Sequence, residues 1–256
     1  KTMENFSEFD RQGQAPITEV GSIISHAWEN YKGIFGYTLL YALIGAIAYG
    51  ILSIFLPGSS ENVDAYKEII ESVKNGESID LETISEMQSN MGIGSRVLTG
   101  LLGVVFGALL YPLNAGLMYI AHKYNFRKQI DISDLFIGFR QNTMNLILYG
   151  AMVTLLATIG LYLCVLPGIY IYIASFIGLP IIFFENKTAI DALKKSFSVT
   201  NSNFGIFLGA ILLSWLISVS GIILCCVGIL LTMGFNMSVK YSLYSAFCGT
   251  PYELNK

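Results

Sequence analysis

Two long stretches of this chain carry no ionisable side chain at all. Residues 141–184 contain no Asp, Glu, Lys, Arg or His, and neither do residues 196–239; each run is 44 residues long. Residues 33–57 and 97–120 are also uncharged. A bilayer core of about 30 Å is crossed by about 20 apolar residues in a helix. A single core helix of a soluble domain does not need such lengths without charge. The composition agrees: 54% of the 256 residues are hydrophobic and 13% are charged, about half the charged share of an ordinary soluble domain. The chain reads as an integral membrane protein of the all-α class, because isolated strands leave backbone groups unpaired in lipid.

The two shorter runs each hold one span. A run of 44 residues is twice one span and predicts a hairpin of two helices. The first such hairpin is expected to turn at Leu166-Pro167-Gly168, since proline ends a helix and glycine permits a tight turn. The second is expected to turn between Gly221 and Gly228. Six spans follow: 33–56, 97–120, 143–165, 169–185, 204–221 and 224–240. With an even number of spans both termini lie on one side. That side would carry 12 Lys and Arg, and the other only Lys67, Lys74 and Arg96. The positive-inside rule then assigns both termini to the cytoplasm. The N-terminus lacks the basic and apolar pattern of a secretory signal, so the first apolar segment, after a 32-residue polar lead, reads as an uncleaved span.

Each segment on the basic side carries apolar residues at helical spacing just before a hairpin. These are Val20, Ile24, Ala27, Trp28 and Tyr31; then Ile132, Leu135, Phe136 and Phe139; then Ile190, Leu193 and Phe197. Spacings of three and four put each set on one helical face. Such helices either lie in the membrane interface or pack against the ends of the spans. Trp28, Tyr31, Phe136, Phe139 and Phe197 are the candidate interfacial residues. The second and third segments align at a constant offset of 61, matching Ile132 with Leu193, Phe136 with Phe197, Asn142 with Asn203, Gly160 with Gly221 and Cys164 with Cys225. The expected architecture is therefore one membrane domain over residues 1–256, with six transmembrane helices as three hairpins. Each hairpin is preceded by a cytoplasmic amphipathic helix. The repeats run in one direction, unlike the inverted repeats of many alternating-access carriers.

The first hairpin is interrupted by residues 58–96, a polar segment expected outside the cytoplasm. Residues 58–95 hold eight acids against two lysines. Val63, Tyr66, Ile69, Ile70 and Val73 mark one amphipathic helix in it, and Leu81, Ile84 and Met87 a second.

Candidate chemistry is sparse. Ionisable groups within spans are costly and usually functional, and the predicted spans contain none, with Lys240 at the margin of the last. That counts against proton- or ion-coupled carriers and against membrane hydrolases built on paired Asp, a metal or a Ser–His pair. Two histidines are too few for a His-rich iron or hydrolase centre, and the four cysteines lack zinc-site spacing. No cofactor and no metal are expected. A net charge of −3 lacks the basic footprint of a nucleic-acid binder. Asn114, beside the Tyr111-Pro112 break, is the candidate polar residue of a cavity, or else it serves backbone groups freed by the proline. Gly100, Gly103 and Gly107, and Gly205 with Gly209, have the spacing that lets helix backbones approach closely. Cys164 with Cys225 or Cys226 is a conceivable disulfide, and free buried thiols are the alternative. Glu185 is read as a structural latch to Lys194 or Lys195, with a catalytic carboxylate as the sharper alternative. Thr188 with Asp191 resembles a capping box.

Pro167-Gly168-Ile169-Tyr170, then Pro180, Glu185 and Ala192-Leu193-Lys194-Lys195-Ser196-Phe197, together resemble the signature of a broad family of bacterial multi-span membrane proteins. That family includes the membrane domain fused to some glycerophosphodiester phosphodiesterases. The likeness covers residues 120–250 and leaves out 58–96. It implies an inner-membrane location and makes Pro167, Gly168, Pro180, Glu185, Leu193 and Ser196 structural motif residues. Some similar proteins are labelled carotene oxygenases, a chemistry that needs four His iron ligands, and this chain has two His in all. Taken together, the expectation is a non-enzymatic accessory or scaffold subunit of the bacterial inner membrane, with membrane lipids and other membrane proteins as partners and no nucleic acid. The alternatives are a lipid- or amphiphile-binding or transport protein, and a membrane enzyme acting on lipid head groups through Glu185.

Overall fold

The computed structural model describes residues 15–54, 71, 93–163, 165–223 and 227–249. Cys164, Cys225, Cys226 and almost all of the 58–96 segment fall outside these residues, as do the disulfide and the acidic helices expected there. The described residues are all-helical. They comprise α1 (Val20–Ile54), α2 (Ile93–Asn125), a 3₁₀ helix (Ile132–Phe139), α3 (Thr143–Leu163), α4 (Val165–Ala174), α5 (Gly178–Glu185), α6 (Ala189–Ser202), α7 (Phe204–Ile223) and α8 (Val227–Cys248). Four stretches among them are long and apolar enough to cross a membrane: Val20–Ser53, Val97–Asn125, Thr143–Gly160 and Val165–Glu185. A fifth is reached if α6 and α7, bent by 99° at their junction, count as one span.

The chain divides into two compact units, Lys1–Ile44 with Gly107–Lys256, and Gly45–Phe106. In the smaller unit the outward surface is apolar, with Ile47, Ile51, Leu98, Leu101 and Val105 all exposed, as lipid contact requires. The Tyr49 and Phe106 rings meet edge to face at 6.1 Å. A Cβ built on Gly100 or Gly103 meets nothing within 4 Å, and the same holds for Gly107 at the start of the larger unit. Among the described residues, Gly100 and Gly103 do not make the close packing that their spacing suggests.

The larger unit has a core that draws on every helix in it: Ile23 and Ile34 from α1, Leu117 and Met118 from α2, Leu146 and Tyr149 from α3, Phe207 from α7, Phe235 and Tyr241 from α8. Helix α5 is buried along its whole apolar length, Gly178 to Phe184. Glycines mark the closest crossings. A Cβ on Gly116 would stand 1.9 Å from the Leu135 carbonyl oxygen, and one on Gly138 2.1 Å from that of Pro112. The 3₁₀ helix thus lies backbone to backbone on α2. Gly234 of α8 fits against Thr38 of α1 in the same way, with 2.2 Å to the threonine methyl.

The three segments expected to share one form take three different ones. The first is not a separate helix: residues 20–54 are continuous in α1, because neither Gly33 nor Gly36 brings a second break signal such as proline. The second is the 3₁₀ helix, held by a capping box between Asp131 and Asp134. It buries Asp134, Leu135 and Gly138. Ile132, Phe136 and Phe139 are exposed, at 62%, 38% and 46%. The third, α6, buries Ala189, Ala192, Ser196 and Thr200. The spacing of three and four selects these small residues for the inner face. Ile190 is exposed and Leu193 and Phe197 are only partly buried. In the second and third segments most of the large apolar side chains therefore turn outward, as interfacial residues would. Tyr31 does not fit this pattern; it is buried in the core, while its neighbour Trp28 is 43% exposed.

Leu166-Pro167-Gly168, where the hairpin turn was expected, lies within α4 (Val165–Ala174). Gly168 lets the helices touch; a Cβ on Gly160 would be 2.8 Å from the Gly168 Cα. A break, not anticipated, splits the fourth span between Ala174 and Gly178.

Candidate functional site

That break has a local cause. Pro180 cannot donate to the carbonyl four residues earlier, so the helix loses a bond where it would pass Phe176. The chain makes turns instead, with Phe176 N–H bonded to Ile173 and Gly178 N–H to Ser175. Carbonyls freed inside a membrane protein must find other donors. Ser196 of α6 donates its hydroxyl to the Ala174 carbonyl at 2.7 Å, and the Tyr149 hydroxyl of α3 donates to the Ser175 carbonyl. Two of the motif residues, Pro180 and Ser196, are thus cause and remedy of one feature. Leu193, three residues before Ser196, packs against the core from the outer side of α6.

Glu185 closes α5. Asn186 follows it in the left-handed region, φ 51°, which asparagine tolerates better than most residues. The Glu185 carboxylate pairs with Lys195 at 2.6 Å and with Lys187 at 3.2 Å, and accepts a bond from the Tyr244 hydroxyl at 3.3 Å. Its lone pairs are engaged in joining α5, α6 and α8, which is the latch geometry. Thr188 caps α6 by accepting from the Asp191 N–H at 3.2 Å, and its hydroxyl donates to the Asp191 carboxylate at 2.7 Å. The full capping box, with the acid bonded back to the cap N–H, is not the arrangement here. A second latch of reversed sign joins α2 to the 3₁₀ helix, where Lys123 grips both oxygens of Asp134 at 2.9 and 2.7 Å.

Beside these latches lies a buried polar cluster that the sequence reading did not assemble. Both histidines of the chain belong to it. His26 of α1 meets Ser242 of α8 at 2.8 Å through Nδ1, and Asn125 of α2 at 3.3 Å through Nε2. The Asn125 amide donates to the Tyr241 hydroxyl at 3.1 Å, and Tyr241 reaches His122 Nδ1 at 3.2 Å. The donor and acceptor inventory admits one directed chain with both imidazoles neutral. In it Ser242 donates to His26, His26 to Asn125, Asn125 to Tyr241, and Tyr241 to His122; these tautomers are assigned from the network. Phe126 and Phe184 enclose His122, with ring centroids 4.6 and 5.3 Å away. The helix spacings were legible, since His26 and Asn30, and His122 and Asn125, each share a face. What brings three such faces together is not.

The cluster contains a Ser–His contact, the pair the sequence reading set aside. Ser242, His26 and Asn125 have the connectivity of nucleophile, base and orienting group. Ser242, however, has no exposed surface and lies inside helix α8. Its neighbouring backbone N–H groups belong to helical hydrogen bonds, so none is aimed at a developing oxyanion. The arrangement joins α1, α2 and α8.

Asn114, the candidate cavity residue, accepts a hydrogen bond from the Tyr41 hydroxyl and ties α2 to α1. Of the interfacial candidates, Trp28 and Tyr31 both touch Phe235, at 5.6 and 5.8 Å between centroids, and Phe197 meets Tyr170 at 6.0 Å. Phe136 and Phe139 contact each other at 6.5 Å. Lys240, placed from the sequence at the margin of the last span, lies within α8, which runs on to Cys248. No group of three or more His, Cys, Asp or Glu suited to a metal occurs among the described residues. No family model, curated protein or solved structure matches this chain.

Proposed function

We propose that this chain is a non-enzymatic six-span protein of the bacterial cytoplasmic membrane, with both termini cytoplasmic, serving as an accessory or scaffold subunit of a membrane complex. The observation that carries the reading is how the polar groups at the charged ends of the helices are used. Glu185, Lys195, Lys187 and Tyr244 engage one another, Lys123 engages Asp134, and His26, Asn125, Tyr241 and Ser242 form one buried chain. Side chains a catalyst would need are thereby held in contacts between helices. A Cβ on Gly100 or Gly103 meets nothing within 4 Å among the described residues, which leaves room for close approach by a helix of another chain. In this reading the outward-turned Phe136, Phe139 and Ile190 seat the cytoplasmic ends of the hairpins in the interface.

Affinity purification from native membranes, with identification of the proteins and lipids retained, tests the role. A protein retained in fixed ratio is expected. A bare chain carrying only lipid overturns the scaffold reading. Labelling with a long-chain fluorophosphonate tests the non-enzymatic part. No adduct on Ser242 is expected, and an adduct lost in His26→Ala would make the Ser242–His26–Asn125 set a hydrolase centre.

A further inference from the structure

Among the described residues Lys240 has no acidic partner. Its ammonium lies 5.0 Å from the centroid of the Phe176 ring, and no carboxylate pairs with it among the described residues. It sits eight residues before the end of α8, about 12 Å along the axis at 1.5 Å per residue. Phe176 is 3% exposed and belongs to the break between α4 and α5. A cation–π contact offsets only part of the hydration an ammonium loses on leaving water. Lys240 is half-buried, and an anion beside it would offset the rest.

One helical turn earlier, on the same face, Asn236 carries a second unmet demand. Its Oδ1 is buried and accepts no hydrogen bond, and the Tyr172 ring meets Phe176, the ring beneath Lys240, edge to face at 5.9 Å. Tyr172 is 42% exposed, so the group of three extends from the core to the lipid-facing surface of α4. The site thus presents a cation, an acceptor lacking a donor, and a phenol at its outer edge. A simple carboxylate or sulfate satisfies the cation alone. A phosphate monoester supplies anionic oxygens for Lys240 and, as the monoanion, a P–OH for Asn236 Oδ1.

We infer that Lys240, Asn236 and Tyr172 bind a phosphate monoester, and that its source is an amphiphile whose chain lies along the apolar surface beside Tyr172. The broken span supplies the position. An unbroken α4–α5 helix would carry its side chains past α8 at helical spacing, whereas the turn at residues 175–177 sets Phe176 against the lysine. The inference stands apart from the scaffold reading, since a subunit with or without protein partners can hold such a lipid.

Equilibrium binding of radiolabelled dodecyl phosphate to the full chain in dodecyl maltoside tests it. One molecule per chain is expected, weakened at least tenfold in Lys240→Met and several-fold in Asn236→Leu, and retained in Lys32→Gln, whose lysine is paired with Glu29 at the surface. Unchanged binding in Lys240→Met overturns the site. Dodecyl sulfate binding as tightly as dodecyl phosphate overturns the part given to Asn236. Millimolar inorganic phosphate should not displace the probe; full displacement makes free phosphate the ligand and overturns the amphiphile. Helicity and melting are recorded for each variant. If Lys240→Met does not fold, Lys240→Gln and Asn236→Leu decide by the same criteria.

Discussion

The Ser196 hydroxyl is bonded to the Ala174 carbonyl at 2.7 Å, joining helix α6 to the last residue of α4 across the point where the membrane span is broken. Ser196 has no exposed surface, so water does not stand in for it. Ser196→Ala leaves a buried carbonyl unmet and should cost about 1–3 kcal/mol. Ser198→Ala, at an exposed position of the same helix, should change stability by less than about 0.5 kcal/mol. Thermal unfolding of the two variants in detergent makes the comparison. Equal effects would remove the special role given to Ser196.

Gly178 and Tyr149 make the same break from the other side. A Cβ on Gly178 would lie 1.9 Å from the Tyr149 hydroxyl oxygen, and that hydroxyl serves the Ser175 carbonyl. Gly178→Ala must displace a ring that is 1% exposed, and overpacking of this kind costs about 1–3 kcal/mol. Gly205→Ala, where a Cβ meets nothing within 4 Å, should be neutral or slightly stabilising, since alanine is the better helix former. Denaturant unfolding of both is the measurement.

The two latches differ in exposure. The Lys123 and Asp134 side chains are 16% and 11% exposed; those of Lys195 and Glu185 are 32% and 20%. Coupling should follow shielding from solvent. Double-mutant cycles with Lys123→Met and Asp134→Asn, and with Lys195→Met and Glu185→Gln, should give the larger coupling for the first pair. The second, at about 1 kcal/mol or less, should weaken more steeply with added salt. The reverse order would mean that solvent screening does not set their strength.

Phe136 and Phe139 are exposed on the 3₁₀ helix. If they rest in the membrane interface, a tryptophan there senses lipid near the head groups. Phe136→Trp, in a background with Trp28 and Trp215 changed to Phe, should be quenched more by lipids brominated high on the acyl chain than by lipids brominated near its end. Absence of quenching by either would place the 3₁₀ helix in water.

Orientation has its own test. In a variant with the four native cysteines changed to Ser, Lys128→Cys should be shielded from an impermeant maleimide in intact cells, and Ser60→Cys should react. The opposite pattern would invert the proposed topology.

Much of this was legible along the chain. Uncharged length announces apolar helices, because a membrane core demands them, and α1, α2 and α3 fall where the runs lie. The Glu185–Lys195 pairing was also readable, since residues ten apart around a short turn return to one another. The break in the fourth span was harder to see. Pro180 was visible, but a proline in an apolar run kinks, ends or merely bends a helix according to what receives the freed carbonyls. Ser196 and Tyr149 are the receivers, and they lie 16 residues downstream and 31 upstream of it. The inner face of α6 could not be chosen from the sequence, because its apolar residues fit either the membrane interface or the ends of the spans. In a lipid surround the inner face is chosen by size, so Ala189, Ala192, Ser196 and Thr200 go in and Ile190 stays out.

The sequence by itself determined the class of this protein: apolar helical spans, with charge kept mainly to their margins, since lipid forbids anything else along 44 uncharged residues. Tertiary structure alone decided which polar groups meet. His26, Asn125, Tyr241 and Ser242 come from three helices far apart in the chain, and Lys240 meets Phe176 only because a distant serine and tyrosine hold a broken helix open. Local periodicity reports which face a residue occupies on its own helix. Which faces come together is set by the closest approach that glycines and small side chains permit between helices, a property of pairs of segments that no single stretch of sequence contains.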